Sequence, residues 1–162
     1  MSKLTKKLTK QCRKFLEPGE TIEASVFTFA PGHYTAFLAG GLVGASINKR
    51  IQANRGAVVD GVSVEPTGTA LLFPGGEMFL STTSRGDLIV WKRSSLGRFT
   101  GIRARVSAGA IQTIESDKRK VKTKVRFIFS DGSALRVNVT GKDVFDDFAT
   151  SLLRYGVESI LV

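Results

Sequence analysis

A chain of 162 residues, 42% of them hydrophobic, is long enough for one domain around one core, which excludes a disordered or collagen-like polypeptide. Its 24 Lys and Arg against 14 Asp and Glu give a net charge of +10, which favours polyanionic partners unless the charge serves solubility alone. The lone Cys12 excludes an internal disulfide and fits a reducing cytoplasm, and residues 1–16 lack the apolar core of a signal peptide.

In chain order, Leu4, Leu8, Cys12, Phe15 and Leu16 fall near one helical stripe. Lys3, Lys6, Lys7, Lys10, Arg13 and Lys14 fill the rest, with no acid among them. Residues 1–16 are therefore predicted as a basic amphipathic helix, stopped by Glu17-Pro18-Gly19. Two roles fit it and are compatible: packing Leu4, Leu8 and Phe15 on the body of the protein, or lying on an anionic membrane surface with Lys6, Lys7 and Lys10 outward.

Residues 17–162 are read as a single domain. Its first strand, residues 21–30, has apolar groups on both faces and ends at Pro31-Gly32. Residues 34–48 carry no charge and many small side chains, with Ala36, Gly40 and Gly44 four apart, and Lys49, Arg50 and Arg55 follow. About 14 apolar residues fall short of the ~20 that a spanning helix needs. Residues 34–60 are therefore expected as an insertion whose small-residue ridge packs internally, with a self-association face or a dip of residues 34–48 into a membrane as the other readings.

Residues 56–66 give few signals. Short strands are predicted at 69–73, 77–83, 87–92, 102–106 and 111–115, separated by Gly- and Ser-rich turns. Val125, Phe127 and Phe129 alternate with cations, and Leu135, Val137 and Val139 alternate with Arg136 and Asn138, which reads as a hairpin. A two-residue loop at Asp131-Gly132 would throw the two apolar rows onto opposite faces. A three-residue loop, Ser130-Asp131-Gly132, pairs Phe127 with Leu135 and Val125 with Val137, so it is the one predicted, with Gly132 left-handed. That register sets Lys124, Arg126, Arg136 and Asn138 together on the outside. From residue 141 to 155 the period turns helical, with Val144, Phe145, Phe148, Ala149, Leu152 and Tyr155 on one side.

Several of these stretches, Gly86-Asp87-Leu88-Ile89-Val90-Trp91, residues 111–115, residues 127–139 with their Ser-Asp-Gly turn, the final helix, and Pro18-Gly19-Glu20 at the start, carry a resemblance. Over residues 16–155 the chain resembles the bacterial pleckstrin-homology-like domains, related in fold to eukaryotic pleckstrin-homology and GRAM domains. The resemblance implies a mainly β fold: a bent seven-stranded antiparallel barrel capped by a C-terminal helix, here with an N-terminal helix and a Gly/Ala-rich insertion after the first strand. Eukaryotic members often bind phosphoinositide headgroups through an early loop. That loop would be the insertion, whose only cations are Lys49, Arg50 and Arg55, so no headgroup site carries over, and fold alone licenses no function.

Catalysis needs a nucleophile with its base, paired carboxylates or metal ligands. His33 is the only imidazole and Cys12 the only thiol, Asp146 and Asp147 diverge by about 100° on a helix, and Gly40-Gly41-Leu42-Val43-Gly44 lacks the phosphate-loop ending. No enzyme activity, cofactor or metal is expected. The cations Lys92, Arg93, Arg98, Arg103, Arg105, Lys118, Arg119, Lys120, Lys122, Lys124 and Arg126 face only Glu115 and Asp117 in the same stretch.

Alternation puts Arg103 with Arg105, and Lys122 with Lys124 and Arg126. If these strands adjoin, Arg103, Arg105, Lys118, Arg119, Lys120, Lys122, Lys124 and Arg126 make one basic face, with Lys6, Lys7 and Lys10 as a second. The expected function is a non-catalytic, cytoplasmic binding module that meets an anionic surface, inner-leaflet lipid or acidic protein. Weak, sequence-tolerant nucleic-acid binding by the same strip is a second reading, with Trp91 and Phe99 as candidate stacking residues. Self-assembly through Ala36, Gly40 and Gly44 or a barrel edge is a third.

Overall fold

The N-terminal helix forms where the apolar stripe predicts it. In this computed structural model, which describes residues 1–31, 58–59, 62–63, 68–74, 77–118 and 122–162, helix α1 spans Lys3–Cys12. Ser2 caps it, its hydroxyl accepting from the Thr5 N–H at 3.1 Å, a bond worth ~1 kcal/mol. A 3-10 turn, Arg13–Phe15, ends it ahead of Pro18. Leu8 and Cys12 are fully buried, and with Ile22, Ile89 and Trp91 they form a second core on the outside of the sheet. The packing role expected of the stripe is thus observed. Burial pushes the Cys12 thiol up to about 11, so it is an inert packing group.

Ten strands follow among the described residues: β1 Ile22–Phe29, β2 Val58–Val59, β3 Val62–Ser63, β4 Met78–Thr83, β5 Asp87–Arg93, β6 Phe99–Ser107, β7 Ile111–Lys118, β8 Lys122–Phe129, β9 Ala134–Thr140 and β10 Glu158–Leu161. Strands β2 and β3 pair only with each other, while the remaining eight form one sheet in the order β10-β7-β8-β9-β1-β4-β5-β6. Every pairing in that sheet is antiparallel except β10 with β7. Strand β1 joins two halves. It pairs with β4 along most of its length and with β9 only through Thr28↔Val139 and Phe29↔Asn138. Apolar residues on both faces of β1 follow from this position, since Ala24 and Val26 enter the main core and Ile22 the second.

Helix α2, Lys142–Leu153, starts at Gly141 and lays Phe145, Phe148 and Leu152 on the main core. Phe148 meets Phe127 edge-on at 6.5 Å, and the Ser151 and Thr82 hydroxyls bond at 2.6 Å, so β8 and β4 are both held to the helix.

The predicted three-residue hairpin loop is observed. Phe127 pairs with Leu135 and Val125 with Val137, the Gly132 N–H donates to the Phe129 carbonyl, and Gly132 has φ 81°. Two stretches differ from expectation. Residues 69–73 are not a strand; Gly68–Leu72 is a 3-10 helix. The reason is the hairpin tip, because the Asp131 carboxylate accepts from the Thr69 N–H at 2.6 Å and its hydroxyl at 2.7 Å, and Ser133 Oγ accepts from the Ala70 N–H. The Ser133 hydroxyl, which donates to Asp131 at 2.6 Å, and after it the Thr69 and Ser133 bonds hold the Asp131 carboxyl well below the usual carboxylate range. Strand β10 was unforeseen. All its residues are exposed, and it is held by its backbone ladder to β7. Within the expected insertion, residues 34–60, only β2 is described; Ala36, Gly40 and Gly44 lie outside the described residues, as does His33.

Candidate anion-binding face

Alternation on β7, β8 and β9 turns Val125, Phe127, Leu135 and Val137 into the core, so the intervening residues must face outward. The cross-strand register then makes two rows. One runs Glu115↔Arg126↔Arg136, and the next Asp117↔Lys124↔Asn138, with Lys122 beyond it opposite Thr140. Together they line a groove of 390 Å³ bounded by Pro31 at one side and Val162 at another. The expectation that Lys124, Arg126, Arg136 and Asn138 share the outer face is met, although Asn138 is itself buried.

The charges in this groove do not cancel. Arg126 Nη1 lies 3.3 Å from Glu115 Oε2, and Lys124 Nζ 4.0 Å from Asp117 Oδ2. The side chains of Lys122 and Arg136 have no ion pair or hydrogen bond among the described residues. Arg126 Nε is buried and has no acceptor there. Two guanidinium groups directly opposite each other on adjacent strands repel, an arrangement that lowers stability.

The rest of the cation series divides. Strand β6 is one edge of the sheet, and β9, β1, β4 and β5 separate it from β8, so Arg103 and Arg105 do not continue the basic row of β8. Arg103 is exposed where the β5–β6 register shifts from Val90↔Ala104 to Trp91↔Ile102. Arg105 is spent internally. It reaches Glu20 through Nη1 at 2.6 Å and Nη2 at 3.0 Å, and Asp87 through Nη1 at 2.7 Å. Burial pushes the Glu20 carboxyl up, but hydrogen bonds from Arg105, the Glu17 backbone and Thr83, with the Arg105 charge, outweigh it and hold it at about 2. The hydrogen bond to Glu20 raises the Arg105 guanidinium in turn. Periodicity carried no signal for this pair, whose members are 85 residues apart.

Lys118 pairs with Asp146 of α2 at 2.7 Å, tying the end of β7 to the helix, so Asp146 is more than a solvated charge. Arg119 and Lys120 lie outside the described residues. Lys6, Lys7 and Lys10 are exposed on α1, which sits on β1 and β6 and presents a second, separate patch. Trp91 is not a stacking platform, because it is buried in the second core with its indole N–H donating to Ser81 Oγ at 2.8 Å, and Phe99 packs edge-on against Phe79. Among the described residues no group of three or more His, Cys, Asp or Glu is placed to hold a metal ion.

These features define a mainly β protein whose described residues form an eight-stranded sheet, a two-stranded sheet and two α-helices, with a cation-rich groove on the outer face of the larger sheet. Among the described residues no helix is long and apolar enough to cross a membrane. No family model matches the chain, and no curated protein matches it either. Among solved structures, it is similar to the hSac2 domain from human phosphoinositide phosphatase Sac2, at 9% sequence identity over 98% of this chain and 88% of that one, with a TM-score of 0.42.

Proposed function

We propose that this chain is a pleckstrin-homology-like, non-catalytic interaction module of bacterial type that binds an anionic surface, inner-leaflet lipid or an acidic protein, through the outer face of β8 and β9. The observation that carries the reading is the row of Lys122, Lys124, Arg126 and Arg136, four cations met among the described groove residues by two carboxylates, Glu115 and Asp117. The family assignment is supported by the resemblance of residues 16–155 and by a sheet in which β1 pairs antiparallel with both β4 and β9 and the helix Lys142–Leu153 packs on its core.

Near an anionic leaflet each cation contributes ~1 kcal/mol. Four cations less two carboxylates therefore give roughly 2–4 kcal/mol, a gain of about two to three decades in partitioning. The binding is weak, reversible and screened by salt. The apolar stripe of α1 is already occupied in the second core, so Lys6, Lys7 and Lys10 add charge to the encounter without inserting a helix. Co-sedimentation with vesicles is the test. Pelleting should rise with the fraction of anionic lipid and fall with salt; no pelleting on anionic vesicles at low salt removes the lipid form of the reading.

A further inference from the structure

The groove holds more structure than a diffuse positive face requires. Arg126 and Arg136 are direct cross-strand partners on the outer side, where Cβ atoms are about 4.5–5.5 Å apart. Glu115 engages one terminal nitrogen of Arg126 at 3.3 Å, which leaves Arg126 Nε buried without an acceptor among the described residues. Arg136, opposite, has its whole fork unengaged there. Buried donors normally find a partner, and a charged group left with an unmade bond is costly. An oxyanion between the two guanidinium groups would screen the repulsion between them and accept from the Arg136 fork in the paired geometry that guanidinium favours.

We propose that the outer face of β8 and β9 contains a discrete subsite for a single phosphate group, held between Arg126 and Arg136 with Lys124 beside it. The proposal rests on the reading that this face binds anions, and it specifies the ligand chemistry. Donors converge from two strands, which suits the three free oxygens of a phosphate monoester better than the two of a carboxylate. The 390 Å³ groove is in the range of small-ligand sites. Glu115 and Asp117 line its β7 side, so a long polyanion crossing from β9 to β7 meets repulsion, whereas a compact phosphate stops short of them. A lipid headgroup and a soluble phosphate ester share this chemistry.

The test is a titration of the full chain, isotopically labelled, with glycerol 3-phosphate and with acetate at matched ionic strength, following the arginine Nε–Hε resonances by NMR. A parallel arm measures pelleting on phosphatidylglycerol vesicles. The subsite predicts a saturable shift of the Arg126 and Arg136 signals with the phosphate ester alone, and affinity reduced about tenfold in Arg136→Gln. Arg136→Lys, which keeps the charge and loses the fork, should also bind less tightly than the parent. Saturable phosphate binding with vesicle pelleting supports the subsite and makes a lipid headgroup the source. Saturable binding without pelleting supports it with a soluble ester as the source, while the lipid form of the surface reading falls. Pelleting with phosphate shifts no different from those of acetate overturns the subsite and leaves the surface reading standing. Neither response overturns the subsite and the lipid form together.

Discussion

Replacing Arg105 by methionine removes the only described cation bonded to Glu20, whose side chain has no exposure to solvent. Breaking a buried pair from one side costs about 3–5 kcal/mol, because the remaining charge is stranded. The titration of Glu20 gives a consistent figure, since moving its carboxyl from the ordinary 4.5 to about 2 corresponds to about 3 kcal/mol. A folded-state value below the unfolded one means stability that is present above the ordinary carboxyl range and lost as pH falls from 4.5 towards about 2. In Arg105→Met only the bonds from the Glu17 backbone and Thr83 oppose burial, so the Glu20 carboxyl moves up from about 2 and the stability that its ionised form supplies at neutral pH shrinks. The gap between parent and variant is therefore widest near neutrality and closes in acid. Guanidinium unfolding followed by fluorescence of Trp91, the single tryptophan, measures it. For a chain of this size the loss lowers Tm by roughly 10 °C at neutral pH. A variant within about 1 kcal/mol of the parent at neutral pH, or a gap that does not narrow in acid, would refute the reasoning.

Phe148→Ala empties the contact between α2 and Phe127 and should cost about 3–5 kcal/mol in chemical denaturation. Leu8→Ala should cost about 2–5 kcal/mol while Lys6→Ala costs under about 0.5 kcal/mol, and equal effects would argue against the docking of α1. Gly132→Ala meets no atom within 4 Å, so only its φ of 81° opposes the side chain, and a loss of about 1 kcal/mol is expected with the fold kept. Asp131→Ala should accelerate hydrogen exchange at the Thr69 and Ala70 amides and leave the β4–β5 amides as they were.

The hairpin of β8 and β9 was legible in the sequence because burial of one face fixes a period of two, and only one loop length keeps Phe127 and Leu135 on that face. The stripe of α1 and the inner face of α2 were legible for the same reason at helical period. Residues 68–72 were not, since their turn is made by Asp131, 62 residues away, and no local pattern in Thr69-Ala70-Leu71-Leu72 reports it. Strand β10 has no buried side and so no alternation to read. The site was legible in half: outward alternation gives Lys122, Lys124, Arg126 and Arg136. The capture of Arg105 by Glu20 and of Lys118 by Asp146 depends on which elements meet, which charge spacing along a chain does not encode.

The central claim is that the outer face of β8 and β9, and not the overall charge of +10, does the binding. The direct measurement is the affinity for phosphatidylglycerol vesicles at fixed low salt of the variant combining Lys122→Glu, Lys124→Glu and Arg136→Glu. It is compared with the charge-matched variant combining Lys92→Glu, Arg98→Glu and Arg103→Glu, exposed positions in the β5–β6 half of the sheet. The account predicts at least about a hundredfold loss for the β8–β9 triple variant and less than about threefold for the charge-matched one. A β8–β9 triple variant that binds within about threefold of the parent would contradict it.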